Sequence, residues 1–161
     1  HVIMGANMSS RLFEVVRDQK GLCYDISSEA RKYSDSGSFS VQLALEEKNC
    51  LQAIKTIVSE LDKAGNKPVG KAELRRAKDY CLGQIAMELE RPQGRMFYNA
   101  NSFLRYKKVY SFDQIEKNVA AVTAEKIKQL AKFIFSSPLQ LACVGKISEK
   151  QETGLRGLMK I

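Results

Sequence analysis

Between Ser10 and Gln19 the apolar residues fall at helical spacing, with Leu12, Phe13 and Val16 on one stripe. Asn7, Ser9 and Ser10 can cap this helix, and Gly21 ends it. The period then changes. Leu22, Tyr24 and Ile26 alternate with Cys23, Asp25 and Ser27, which is a strand pattern. "YSDSG" (Tyr33–Gly37) carries turn residues. Beyond it Phe39, Val41, Leu43 and Leu45 alternate with Ser40, Gln42 and Ala44. Together these runs predict an antiparallel hairpin, Leu22–Arg31 against Ser38–Leu45.

From Asn49 the spacing is helical again. Leu51, Ile54, Ile57, Val58 and Leu61 form an amphipathic stripe that stops at Gly65. "NKPVG" is a loop, and a long helix starts near Lys71, carrying Leu74, Ala77, Cys81, Leu82, Ile85 and Leu89. Pro92 and Gly94 interrupt it. Met96, Phe97, Ala100, Phe103 and Leu104 resume the pattern. Ser111 with Gln114 is a capping box for the next helix, and Thr123 caps one more, with Ile127, Leu130 and Ile134 inside. Pro138 closes that helix. "LQLACVG" (Leu139–Gly145) is apolar enough for a buried strand in the same sheet as the hairpin. A polar tail, residues 148–161, has room for one short helix. Helices mainly on one face of an antiparallel sheet make an α+β fold. Three strands are few for so many helices, so further strands are expected beside them.

The chain has 161 residues, 26 Lys and Arg against 18 Asp and Glu, and a net charge of +8. That excess suits acidic partners, peptides or a membrane surface. The densest groups, Lys71–Lys78 and Arg105–Lys108, read as solvated helix faces, which argues against nucleic-acid binding. No run is long enough to span a membrane. Cys23, Cys50, Cys81 and Cys143 sit at apolar positions without a C-x-x-C pair. They read as buried free thiols, which favours a reducing compartment such as the cytoplasm or one like the mitochondrial matrix. The single histidine, His1, leaves no catalytic triad and no zinc site within the chain.

Arg17 and Tyr24 remain, seven residues apart across the joint between helix and strand. One reading is structural: a cation at a helix C-terminus and a strand aromatic with its hydroxyl in water. The other is chemical. A fixed positive charge and a neutral O–H are both standard stabilisers of a developing oxyanion, for a reaction whose metal and base lie elsewhere.

The block "GANMSSRLFEVVRDQKGLCYDI" resembles the "GGGMSSRLFxxxRexxGLaYxv" signature of the insulinase–pitrilysin zinc metallopeptidases, the group that includes the mitochondrial processing peptidase. "YSDSGSFSV", "ELRRAKDYCLGQIAMELE", "VTAEKIKQLAKFIF" and "LQLACVGKI" extend the likeness over 4–147, which is accordingly expected to be a partial C-terminal insulinase-like domain. The resemblance implies a half-domain that lacks its first strand and helix. It also implies that Zn2+ belongs to the full-length enzyme, with its H-x-x-E-H ligands in an N-terminal half. Arg17 and Tyr24 would be the pair that binds the substrate carbonyl oxygen across the cavity between the halves.

On that basis the full-length protein is expected to be a zinc metalloendopeptidase. This chain would be its substrate-clamping part, inactive alone. The alternative is a non-catalytic structural or substrate-holding member of the family. Expected partners are a peptide or unfolded protein substrate, the N-terminal zinc-binding half or a partner subunit, and a second copy through an open sheet edge. "GAN" at Gly5–Asn7 replaces the usual glycine run, which narrows the room for close backbone approach.

Overall fold

The alternating runs form the hairpin. In the computed structural model, which describes residues 1–159, β1 (Asp25–Lys32) pairs antiparallel with β2 (Gly37–Ala44). Ile26 stands opposite Leu43, Ser28 opposite Val41, and Ala30 opposite Phe39, so these six share the inner face. Ser27, Glu29, Arg31, Ser40 and Gln42 alternate with them and make a polar outer face. The other regular elements are helical: α1 (Val2–Gly5), a π-helical segment (Phe13–Gln19), a 3-10 turn (Glu47–Asn49), α2 (Cys50–Asn66), α3 (Lys71–Glu90), α4 (Pro92–Tyr106), α5 (Phe112–Ala120), α6 (Ala124–Phe135) and α7 (Glu149–Leu158). This is an α+β arrangement of helices on an antiparallel sheet.

The core follows the stripe on α2. Ala53, Ile54, Ile57, Leu61 and Ala64 are buried, together with Leu12, Phe13 and Val16 from the N-terminal segment, Ile26 from β1 and Ala131 from α6. Phe39 meets Phe135 edge to face, centroids 5.1 Å apart, and ties β2 to α6. Helix limits follow local chemistry. Arg91 is extended ahead of Pro92, which opens α4 at a position where proline loses no hydrogen bond. Ser111 and Gln114 form a reciprocal capping box for α5, and Thr123 Oγ1 accepts from Lys126 N–H at 3.2 Å for α6. A second capping box, Ser148 with Gln151, starts α7 and puts Leu155 into the core.

The first helix forms over 11–19 and is π-helical from Phe13. Three expectations need correction. The first strand begins at Asp25 rather than Leu22, because the chain bends at Tyr24. The thiols are not uniformly buried: Cys23 and Cys50 are, Cys81 is half-buried and Cys143 is exposed. Leu139–Gly145 forms no strand, and Val144 is fully exposed. Apolar composition alone does not make a strand, which exists only through its ladder bonds. The nearest ladder edge is β2, and a groove of about 620 Å3 separates Ser38–Val41 from Leu139–Leu141 over a floor containing Ile57 and Leu61. The outer edge of β1, by contrast, is met by α1, where His1 Nδ1 lies 3.0 Å from the Ser28 carbonyl. Among the described residues, no helix is long and apolar enough to cross a membrane.

Arg11 and Glu73 join the N-terminal segment to α3. Nε and Nη2 of Arg11 donate to the two carboxylate oxygens at 2.6 and 2.9 Å. Only 19% and 24% of the two side chains is exposed. The hydrogen bond from Arg11 holds the Glu73 carboxyl below its ordinary 4.5. A depressed folded-state pKa gives stability that is present above the unfolded value and lost as pH falls through the folded value. Glu73→Gln is therefore expected to lower stability near pH 7 by roughly 1.5–3 kcal/mol. Urea midpoints for both proteins at neutral pH and well below pH 4.5 should converge in acid. A gap that is unchanged by acid would show that the ion pair does not set this slope.

Candidate functional site

Close backbone packing positions the N-terminal segment. A Cβ built on Gly5 would stand 2.8 Å from the Ser28 amide nitrogen and 3.0 Å from Ser28 Cβ. Only glycine lets α1 lie this close to β1. The chain then turns on Asn7, whose Oδ1 accepts from Ser9 N–H at 2.9 Å, while Ser10 Oγ donates to the Asn7 carbonyl at 2.6 Å. "GAN" thus keeps the one glycine that the close approach requires, and adds a side chain that builds the turn.

The π-helical segment carries Arg17 in its last turn. Gly21 follows at φ +58°, the left-handed conformation that reverses the chain. Its N–H donates to the Arg17 carbonyl at 3.0 Å, and Leu22 N–H donates to the Val16 carbonyl at 2.9 Å. Two residues later Tyr24 N–H donates to the Ala44 carbonyl at 2.9 Å. The tyrosine backbone is thereby tied to the end of the sheet. The bend throws its side chain outward, and Tyr24 is 85% exposed while Cys23 before it is buried. Burial pushes the Cys23 thiol up, against the pull of the nearby Arg17 charge.

Arg17 and Tyr24 come together. The Arg17 guanidinium carbon lies 4.5 Å from the Phe13 ring centroid and 5.9 Å from that of Tyr24. No carboxylate among the described residues pairs with Arg17. The result is a half-buried cation on a buried aromatic platform, next to an exposed phenol. Guanidinium and phenol both present N–H or O–H donors, so the arrangement suits a carbonyl oxygen or another small acceptor. The platform was open to sequence reasoning, since Phe13 precedes Arg17 by four residues, the spacing at which helical side chains meet.

The residues present do not fit a zinc ion. Among the described residues no three His, Cys, Asp or Glu side chains are grouped to hold a metal. The His1 ring is engaged with the Ser28 carbonyl.

The family profile described as the peptidase M16 inactive domain matches residues 1–81, half of the chain. An uncharacterised zinc protease of Bacillus subtilis, YmxG, is 30% identical over 142 residues, covering 88% of this chain and 35% of that protein. An uncharacterised zinc protease of Mycobacterium bovis is 28% identical over 151 residues, covering 94% of this chain and 34% of that protein. The chain therefore spans about a third of the length of these relatives. Among solved structures, a peptidase M16 inactive domain from Pseudomonas fluorescens superposes with a TM-score of 0.69 at 17% identity, covering 82% of this chain and 32% of that one. A conserved protein of Enterococcus faecalis gives 0.70 at 22% identity, covering 81% and 30%.

The two glycines that shape this site differ in what a side chain would cost. Gly21→Ala meets no atom within 4 Å, so its penalty is conformational alone, about 1–2 kcal/mol. Gly5→Ala forces α1 off β1, and overpacking of that kind costs typically about 1–3 kcal/mol. Chemical denaturation of both variants measures the two penalties. A neutral Gly21→Ala would mean that the joint is not held at positive φ in solution.

Proposed function

The chain belongs to the peptidase M16 inactive-domain family, and we propose that it is the substrate-clamping part of a zinc-dependent metalloendopeptidase. The observation that carries this reading is the pairing of the half-buried Arg17 with the exposed Tyr24, with no carboxylate partner for Arg17 among the described residues. The Arg17 guanidinium rests against the Phe13 and Tyr24 rings, which leaves its in-plane N–H donors available to an acceptor.

In the proposed role both side chains donate hydrogen bonds to the carbonyl oxygen of the scissile peptide. As water adds to the carbonyl carbon, that oxygen gains negative charge. A fixed cation and a phenolic O–H close to it stabilise the charge where it develops, and in a site that excludes water each is worth more than in bulk solvent. The zinc ion and the general base belong, in this reading, to an N-terminal half or partner subunit outside this chain. The names of the relatives, zinc proteases, support that assignment. The substrate is a peptide or an unfolded protein, whose backbone supplies the carbonyl without demanding a particular side chain. The free outer edge of β2 is where a strand of the other half, or of a second copy, would add to the sheet.

Steady-state kinetics on a peptide substrate, using the full-length parent protein, test this proposal. Tyr24→Phe removes one hydroxyl from an exposed ring, so the fold should be unaffected. Turnover should fall by about 10²–10³ with KM little changed, as expected for a donor that acts mainly in the transition state. Arg17→Lys keeps the charge but loses the planar fork, and should retain partial activity. Full turnover in Tyr24→Phe, with Arg17→Ala lowering only the melting temperature, would make the pair structural; no turnover by the unaltered parent would favour its non-catalytic role.

A further inference from the structure

α4 turns its small and polar residues inward. Gly94 and Ser102 are its buried positions, and Gly94 lies against Glu88 of α3. Met96, Phe97, Ala100, Phe103 and Leu104 recur at three- and four-residue spacing on the other side. The four large side chains of this stripe are each more than half exposed. An apolar stripe of this kind ordinarily faces a core, and here it faces solvent. The charges around it have one sign. From Arg91 to Phe112 the sequence holds five cations, Arg91, Arg95, Arg105, Lys107 and Lys108, and no Asp or Glu. Among the described residues none of the five takes part in an ion pair. The last three are gathered at the C-terminal end of the stripe. Lys107 is left-handed at φ +53° and ends the helix, and Tyr98 Oη donates to the Tyr110 carbonyl at 3.0 Å, which holds the following turn against α4. Lys107 Nζ lies 5.9 Å from the Phe103 ring centroid, and Lys108 Nζ 5.1 Å from that of Tyr110.

We propose that α4 and the turn after it are a peripheral docking surface for an anionic lipid bilayer. Met96, Phe97, Phe103 and Leu104 enter the boundary between headgroups and acyl chains. Arg95, Arg105, Lys107 and Lys108 meet the lipid phosphates, their apolar stems lying along the stripe. Charge argues against a second copy as the occupant, because that contact would set five unpaired cations against five more. Size argues against a protein partner. The stripe is one helix wide and, at about 1.5 Å per residue, about 12 Å long. That is too little for the roughly 800 Å2 that each side of a stable protein interface buries. A bilayer needs no matching pocket and supplies negative charge over its whole surface.

Flotation of the full-length parent protein with lipid vesicles tests this. The probes are vesicles of mixed phosphatidylcholine and phosphatidylglycerol, and vesicles of phosphatidylcholine alone. The protein should float with the anionic vesicles and not with the neutral ones. Salt at about 1 M, where the Debye length is about 3 Å, should release it. Changing Arg105, Lys107 and Lys108 together to Gln should weaken binding by roughly tenfold or more. Phe103→Ser with Leu104→Ser, both at exposed positions, should also weaken it while the melting temperature and peptide turnover stay unchanged. No flotation of the parent with anionic vesicles would overturn the proposal and leave this face to another part of the parent or to an acidic protein. Vesicle binding that survives both sets of substitutions would overturn it too. So would a dimer of the parent in solution that Leu104→Ser dissociates, since the face would then join two copies.

Discussion

Burial of one face of α2 is the constraint on which the rest of the molecule depends. Ala53, Ile54, Ile57, Leu61 and Ala64 are covered at once by the N-terminal segment, α6 and the inner face of the hairpin. At about 1.5–3 kcal/mol for each large apolar side chain, that face supplies a gain comparable with the whole net stability of a domain this size. α3, by contrast, has no residue buried to the same degree. It is held by the Arg11–Glu73 pair and by its contacts with α1, α4 and α5. The core is therefore asymmetric. It is dense around α2 and thin toward α3 and α4, where Phe97, Phe103 and Leu104 stay exposed.

The elements that sequence reasoning located best are those whose pattern and packing agree. The stripe on α2, the alternation in β2, the break at Pro92 and the caps at Ser111 and Thr123 all arise from chemistry within a few residues. Tyr24 shows how local pattern fails. It shares parity with Ile26, so a continuous strand would turn both inward. The bend inverts the phase, burying Cys23 and exposing the phenol. Leu139–Gly145 shows the other failure. Its composition suits a strand, but pairing is decided by a neighbour distant in sequence, and no local signal reports that neighbour. The Arg11–Glu73 bond spans 62 residues and was invisible for the same reason.

At the candidate site, type and spacing of residues were legible, and orientation was not. Arg17 and Tyr24 stand out as a cation and a phenol across a joint. Only the fold shows that Phe13 lies beneath the guanidinium and that the tyrosine faces out. Sequence reasoning also treated the cysteines as one class. Their environments differ because Cys50 starts a core helix, whereas Cys143 lies on a segment without backbone partners.

Arg17 sits on the π-helical segment, while Tyr24 hangs from the sheet through its backbone bond to Ala44. The two stand on different elements, which share one core through Val16, Cys23 and Ile26 and are joined in sequence by residues 18–23. Regions of one protein open with free energies that range from near zero to the global value, and a short exposed joint lies at the low end of that range. The distance between cation and phenol is thus a property of the joint as well as of the core. A solvent or temperature that loosens Gly21 can blunt the site while every helix remains folded, so intact secondary structure is no guarantee of an assembled clamp.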